Sequence, residues 1–143
     1  DRLVRMGIPV MGHLGLTPQA VHRLGYRRQA TDAISQERLL EQACTLEQKG
    51  CFSLVLEHVP AELACRVQQA LTIPVIGIGA GDSCDGQVRV TADLLGLTAK
   101  QPPFSPALVD GRRLFIDALK GWVQQTRNNT LPTTESPQSA PDC

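Results

Sequence analysis

The stretch that decides the fold covers residues 52–60, and it reads Phe52-Ser53-Leu54-Val55-Leu56-Glu57-His58-Val59-Pro60. A short run rich in aliphatic residues predicts a strand that is buried on both faces of a parallel sheet. Pro60 suits the first position of a following helix, because its missing N–H group costs nothing there. We therefore expect Glu57 in the strand-to-helix loop, where α/β folds place their chemistry.

The composition is that of a globular protein with reduced cysteines. A chain of 143 residues with 42% hydrophobic residues and a net charge of zero can form one domain with a core. Because 14 basic residues balance 14 acidic ones, we expect neither nucleic acid nor a membrane among its partners. The five cysteines are odd in number and form no Cys-x-x-Cys pair, which predicts a cytoplasmic protein without a cysteine-held metal.

Upstream of the opening stretch, the pattern predicts one strand and parts of three helices. Residues 8–14 read as a strand leading into a loop that bears His13, and residues 17–25 as a short helix. Asp32 can cap a longer helix that precedes residue 52. Because the chain does not begin with Met, and residues 3–7 read as the last turn of a helix, we expect the C-terminal portion of a longer protein.

Downstream, a helix from Pro60 is followed by a third strand at residues 73–78 and a weaker fourth strand at residues 87–90. The last helix is predicted at residues 108–125, with a stripe of apolar side chains. Residues 127–143 contain several prolines and many Ser and Thr residues, so we expect a disordered tail.

The alternation of strands and helices predicts an α/β fold with a parallel sheet and right-handed crossovers. Four parallel strands with helices on one side would leave an apolar sheet face and two bare edges. The C-terminal half of an eight-stranded β/α barrel, formed by residues 1–126, fits this pattern better than an open four-stranded sheet.

Ordered blocks at residues 7–19, 55–60 and 73–81, followed by residues 85–88 and 93–97, resemble the ketopantoate hydroxymethyltransferase family. Arg89 is a departure from the family pattern. The resemblance implies a TIM-type (β/α)8 barrel, of which this chain carries strands five to eight. It implies transfer of a hydroxymethyl group from 5,10-methylenetetrahydrofolate to 3-methyl-2-oxobutanoate, which gives 2-dehydropantoate for pantothenate and coenzyme A synthesis. It also implies a homo-oligomer and a bound Mg²⁺ whose ligands lie in the other half, so we expect no metal ligand and no activity in this chain alone.

Two residues are the candidates for this chemistry. The resemblance places Glu57 as the general base that removes the proton next to the keto group, and a partly desolvated carboxylate at a strand end is suitably basic. The alternative is that Glu57 caps the helix that begins at Pro60. His13 is the candidate for substrate binding, although a histidine between glycines can equally be a packed side chain.

Other polar residues have structural interpretations. We expect His58 to be structural, His22 to be exposed, and residues 77–81 to form a tight turn at the mouth of a pocket rather than a phosphate cradle. Loop aspartates mostly bond to nearby backbone, and this interpretation applies to Asp82, Asp85 and Asp93.

Two other functions stay open at this point. One is a carbon–carbon lyase of the phosphoenolpyruvate/pyruvate-like barrel group, which would act on pyruvate-forming substrates. The other is a non-catalytic remnant or interaction module, which would fold and bind a partner without turnover.

Overall fold

The computed structural model describes residues 1–17, 19, 25 and 27–130. Its elements, in chain order, are α1 (Arg2–Arg5), β1 (Met11–Gly15), α2 (Ala33–Gln48), β2 (Ser53–Glu57), α3 (Ala61–Ala70), β3 (Val75–Ile78), β4 (Gly86–Gln87), α4 (Thr91–Leu94) and α5 (Gly111–Arg127). Most of the short helix predicted at residues 17–25 lies outside the described residues, and so do His22 and residues 131–143 of the predicted tail. No helix in this described part is long and apolar enough to cross a membrane.

The four strands form one parallel sheet in the order β1-β2-β3-β4, which confirms the predicted α/β class. Gly15 pairs with Glu57, and Glu57 pairs with Ile78 on the next strand. Gly77 in turn pairs with Gln87. The carboxyl ends of the strands therefore lie along one edge of the sheet.

The two faces of the sheet differ in burial. Helices α2 and α3 cover one face, and the core on that side consists of Leu39, Ala43, Leu54, Leu56, Val59, Leu63, Ala64, Val67, Leu71, Val75 and Ala80. Because side chains alternate along a strand, the opposite face carries His13, Val55 and Glu57, which are only half-buried. The prediction that β2 is buried on both faces is therefore wrong for this chain, since its helices pack on one side only.

Local signals explain where the helices begin. The carboxylate of Asp32 accepts a hydrogen bond from the backbone N–H of Ser35 at 2.9 Å, and the Asp32 N–H donates to the Ser35 hydroxyl at 3.4 Å. This reciprocal capping box starts α2 as predicted. Pro60 is the N-cap of α3 rather than its first helical residue, since its backbone is extended, with ψ at 140°.

The strand bounds differ from the prediction at both ends of the sheet. β1 begins at Met11 rather than at residue 8, because Pro9 has no N–H to donate to a ladder. β4 is limited to Gly86–Gln87, and residues 88–90 are not part of it. After Val88 donates its N–H to the Gly77 carbonyl at 2.9 Å, the chain leaves the sheet towards α4.

Helix α5 is amphipathic, but its apolar stripe is not part of the core. Its N-terminus is anchored, because the side chain of Asp110 caps the helix and the Gly111 N–H donates to the Leu95 carbonyl at 2.9 Å. The larger apolar side chains of the helix lie open to solvent, and they are Leu114, Phe115, Ile116, Leu119, Trp122 and Val123. The stripe thus exists as predicted and lacks a partner surface within the described part of the chain.

Candidate active site

Two ionisable side chains of the open sheet face meet near its carboxyl edge. The Nε2 atom of His13 lies 3.1 Å from Oε2 of Glu57, which is hydrogen-bond distance. The Glu57 side chain is 14% exposed and that of His13 is 33% exposed, so the carboxylate is shielded from water and still reachable. A shielded carboxylate held by an imidazole is suited to take a proton from a substrate.

The strand register brings this pair together. His13 lies opposite Val55, and Gly15 lies opposite Glu57, so His13 and Glu57 are diagonal neighbours on the same face. His13 is therefore in the middle of β1 and not in the loop where the sequence predicted it, because the strand continues to Gly15. Glu57 is the last residue of β2 rather than part of the following loop.

Gly15 allows the Glu57 carbonyl to lie close to the backbone of β1, a role that the sequence pattern did not predict. Its φ is +91°, and a Cβ atom at this position would lie 2.1 Å from the Glu57 carbonyl oxygen. The same oxygen accepts a hydrogen bond from the Leu16 N–H at 2.8 Å. Only glycine allows the two backbones to approach this closely. The feature of the sequence that could have predicted it is a glycine two residues after His13, at a strand end.

Burial and His13 act on the proton affinity of Glu57 in opposite directions. Burial is the larger effect and raises the pKa of the Glu57 carboxyl above its ordinary value of 4.5, while the charge and the hydrogen bond of His13 lower that pKa. The net result is a carboxylate more basic than one in water. The helix-capping interpretation of Glu57 is not supported, because α3 has no side-chain cap.

Next to the His13–Glu57 pair, the rings of His58 and Phe104 pack against each other. His58 is buried, and its ring stacks on Phe104 with centroids 4.3 Å apart, which agrees with the structural role predicted for it. His58 has a φ of +51°, a left-handed conformation that is unusual for a side chain of this kind. Phe104 in turn lies against Gly79, where a Cβ atom would approach its Cδ2 atom to 2.5 Å.

Two of the acidic residues downstream of β3, Asp85 and Asp93, have protein partners. Asp85 accepts hydrogen bonds from the Val75 N–H at 2.8 Å and from the Gln68 amide at 3.0 Å. These bonds, the one from Val75 first, lower the pKa of Asp85. The Thr98 hydroxyl donates to Asp93 at 2.6 Å.

Within the described ranges, no group of three or more His, Cys, Asp or Glu residues is arranged to hold a metal ion. Four cysteines in these ranges are free thiols, namely Cys44, Cys51, Cys65 and Cys84.

Comparisons with known proteins agree on one family. A model of the ketopantoate hydroxymethyltransferase family matches residues 1–134. The 3-methyl-2-oxobutanoate hydroxymethyltransferase of Synechococcus sp. (strain CC9605) is 97% identical over 133 residues, which are 93% of this chain and 49% of the relative. The enzymes of that name from Synechococcus sp. (strain CC9902) and Prochlorococcus marinus (strain MIT 9303) are 73% and 67% identical, over all of this chain and 53% of each relative.

The chain thus spans about half the length of the curated relatives it matches. The family model, in contrast, covers nearly the whole chain and includes both His13 and Glu57. The chain belongs to the ketopantoate hydroxymethyltransferase family.

Proposed function

We propose that this chain is the C-terminal half of an enzyme that transfers a hydroxymethyl group from 5,10-methylenetetrahydrofolate to 3-methyl-2-oxobutanoate, giving 2-dehydropantoate. The observation that carries the proposal is the shielded Glu57 carboxylate, held by His13 at the carboxyl edge of a parallel sheet. The printed names of the relatives, 3-methyl-2-oxobutanoate hydroxymethyltransferases, support the same substrate.

The fold that we propose for the whole enzyme is a (β/α)8 barrel, of which this chain supplies strands five to eight. Support comes from the sheet, which has helices on one face and half-buried side chains on the other. An open parallel sheet would need helices on both faces, whereas in a barrel the second face is the interior. His13 and Glu57 lie on that second face, near the strand ends where barrel enzymes bind their substrates.

Glu57 is the general base in this proposal. Its carboxylate takes the proton from C3 of 3-methyl-2-oxobutanoate, and the electron pair of that C–H bond passes into the enolate. Water cleaves the two C–N bonds of the methylene bridge of the folate, which leaves tetrahydrofolate and formaldehyde. The nucleophilic C3 carbon then adds to the formaldehyde carbon, and the C=O electron pair moves to the oxygen, which takes up a proton and becomes the hydroxyl of the new hydroxymethyl group. Burial favours this step, because it makes Glu57 more basic than a carboxylate in water.

His13 has two tasks in the same step. Its ring nitrogen lies 3.1 Å from Glu57, so it orients the carboxylate that receives the proton. As the more exposed member of the pair, it is also placed to bind the substrate.

Mg²⁺ would supply Lewis-acid stabilisation of the enolate oxygens when bound. The described residues offer no cluster of ligands for it, so we propose that its ligands belong to the other half of the barrel and assign no metal ligand here. A homo-oligomeric, cytoplasmic enzyme and an inactive isolated chain complete the proposal.

Proton exchange at C3 tests the base directly. This chain would be co-expressed with the remaining half of the Synechococcus sp. (strain CC9605) relative, and exchange of the C3 proton of 3-methyl-2-oxobutanoate would be followed by NMR in deuterated water without folate. Glu57→Gln keeps the shape and removes the base, so the exchange rate should fall by about 10²–10⁴-fold while the substrate still binds.

The matched control is Glu62→Gln, because Glu62 is an exposed carboxylate in the first turn of α3. It should leave the exchange rate unchanged. Exchange at the unmodified rate in the Glu57→Gln protein would remove Glu57 from the base role. Turnover of pyruvate-forming substrates without hydroxymethyl transfer would instead favour the alternative function, a carbon–carbon lyase.

A further inference from the structure

A second group of residues, which includes polar and aromatic side chains, lies at the same edge of the sheet, next to the last two strands. It lines a cavity of about 270 Å³ between the turn after β3 and the loop before α5. The residues that matter here are Gly79, Gly81, Arg89, Phe104 and Ser105. The proposed base lies outside this set, so the cavity has a function still to be assigned.

Arg89 is the one charged residue that lines this cavity, and its hydrogen bonds go to neutral groups. Its Nε and Nη2 atoms donate to the Ser105 hydroxyl oxygen at 3.3 and 3.1 Å, and Nη2 also donates to the Pro106 carbonyl. In the part of the chain that the structure describes, no carboxylate forms an ion pair with Arg89. Its Nη1 atom, with two N–H groups, makes no hydrogen bond there either.

Ser105 adds a second donor to this site. The residue is only 3% exposed, and its oxygen accepts both bonds from Arg89, which leaves its O–H free to donate outwards. An uncompensated guanidinium next to a buried hydroxyl is suited to bind a carboxylate, because charge-assisted bonds of this type are short and strong.

The position of the cavity indicates whether the bound carboxylate belongs to a small or a large ligand. Glu57 pairs with Ile78, and Val88 bonds to Gly77 one strand further, so two strand spacings, about 10 Å, separate the backbones of Glu57 and Val88. The carboxylate of a 2-oxo acid is only two bonds from its C3 carbon, and neither Glu57 nor His13 lines this cavity, so we assign the cavity to a longer ligand. The one-carbon unit of a folate, in contrast, is separated from its glutamate carboxylates by an aminobenzoyl ring.

We propose that Arg89 and Ser105 bind a glutamate carboxylate of the folate, with its aminobenzoyl ring against Phe104. This assignment rests on the function proposed above and adds the site that holds the one-carbon donor. Phe104 lies between the cavity and the carboxyl end of β2, because it lines the cavity and its ring packs on His58, the residue that follows Glu57. The folate would thus extend from the Arg89 cavity towards the carboxylate that activates the acceptor.

Binding of two probes tests this site in the co-expressed enzyme. One probe is 5-formyltetrahydrofolate, and the other is the N-methylamide of 5-formyltetrahydropteroic acid, which keeps the benzoyl amide and lacks both glutamate carboxylates. Isothermal titration calorimetry would compare the unmodified protein with Arg89→Gln, Arg89→Lys and Arg38→Gln. Arg38 is an exposed residue of α2, so Arg38→Gln controls for the loss of one positive charge.

Arg89→Gln should weaken binding of the glutamate-bearing probe by about 10–100-fold, the usual effect of losing a hydrogen-bonded ionic contact. Its affinity for the N-methylamide and its C3 proton exchange should stay unchanged. Arg89→Lys should retain part of the affinity, and Arg38→Gln all of it.

Three results would overturn the assignment. The first is equal folate affinity in the Arg89→Gln and unmodified proteins. The second is an equal loss for both probes, which would mean that Arg89 only supports the loop. The third is a raised KM for 3-methyl-2-oxobutanoate in the exchange reaction of Arg89→Gln, which would assign the site to the 2-oxo acid. Failure of exchange in the unmodified enzyme would instead contradict the proposed function itself.

Discussion

Glu57 combines two opposing influences in one side chain. Burial raises the pKa of its carboxyl above 4.5, and the neighbouring His13 lowers that pKa. As the proposed base, Glu57 must be ionised to act, so proton exchange should be lost as the pH falls through its raised pKa. The acidic limb of the pH–rate profile should therefore lie above pH 4.5, the ordinary value for this carboxyl.

Replacing His13 tests the balance between these influences. His13→Ala removes the charge interaction and the hydrogen bond that lower the pKa of Glu57, so burial acts alone and the pKa rises. The acidic limb of C3 proton exchange should move to higher pH. Measurement of the exchange rate by NMR across the pH range gives the shift.

The control for this prediction is the same profile in the Glu62→Gln protein, which should match that of the unmodified enzyme. An unmoved limb in His13→Ala would show that His13 does not act on Glu57. An increase in KM without a shift would leave His13 with a substrate-binding role alone.

At the level of elements, the turn after β3 depends on a close contact with the loop before α5. Gly79 has a φ of +60°, and an added Cβ atom would come within 2.5 Å of Phe104. Phe104 holds this position by stacking on His58. The turn, the loop and the end of β2 are therefore packed as one unit around the Arg89 cavity.

Gly79→Ala should destabilise this unit by more than backbone strain alone. The strain of a left-handed alanine costs about 1–2 kcal/mol, and the displaced Phe104 ring adds to it. Gly7→Ala is the matched control, because Gly7 has a φ of +79° with nothing within 4 Å of an added Cβ atom. Urea unfolding of the co-expressed enzyme would compare the two.

The two variants should differ in their free energy of unfolding, and the Gly79→Ala protein should be the less stable one. The same substitution should also weaken binding of 5-formyltetrahydrofolate, since Phe104 lines the cavity. Equal destabilisation by both alanines would show that Phe104 moves aside without cost.

On the scale of the whole molecule, two surfaces that carry apolar side chains lack partners within the described residues. One is the open face of the sheet, and the other is the stripe on α5, where Leu119 and Trp122 are 62% and 57% exposed. Exposed apolar surfaces of this kind drive association. We therefore expect the isolated chain to self-associate and the other half of the proposed barrel to restore a defined assembly.

Sedimentation velocity on the isolated chain tests this expectation. A Leu119→Lys/Trp122→Lys double variant should shift the distribution towards smaller species, because it places charge in the stripe. Gln124→Lys/Gln125→Lys adds the same charge at exposed polar positions of the helix and should leave the distribution unchanged. A monomeric, cooperatively melting unmodified chain would contradict the prediction and show a self-sufficient domain.

Several features followed from local patterns alone. The apolar run before Glu57 predicted β2 and its carboxyl end, and Asp32 predicted the start of α2. The alternation of strands and helices predicted a parallel sheet, which the structure has. These features are local, since strand periodicity and helix caps depend on residues only a few positions apart.

By itself, the sequence determined the α/β class, the family resemblance and the choice of Glu57 and His13 as candidates. Only the tertiary structure decided that these two side chains meet at 3.1 Å, that Gly15 is required against the Glu57 carbonyl, and that Arg89 lacks an acidic partner in the described part of the chain. It also decided that β2 is covered on one face and that the α5 stripe is exposed. The physical reason is that strand register and helix packing join residues far apart in the chain, and the printed order of residues does not contain those distances.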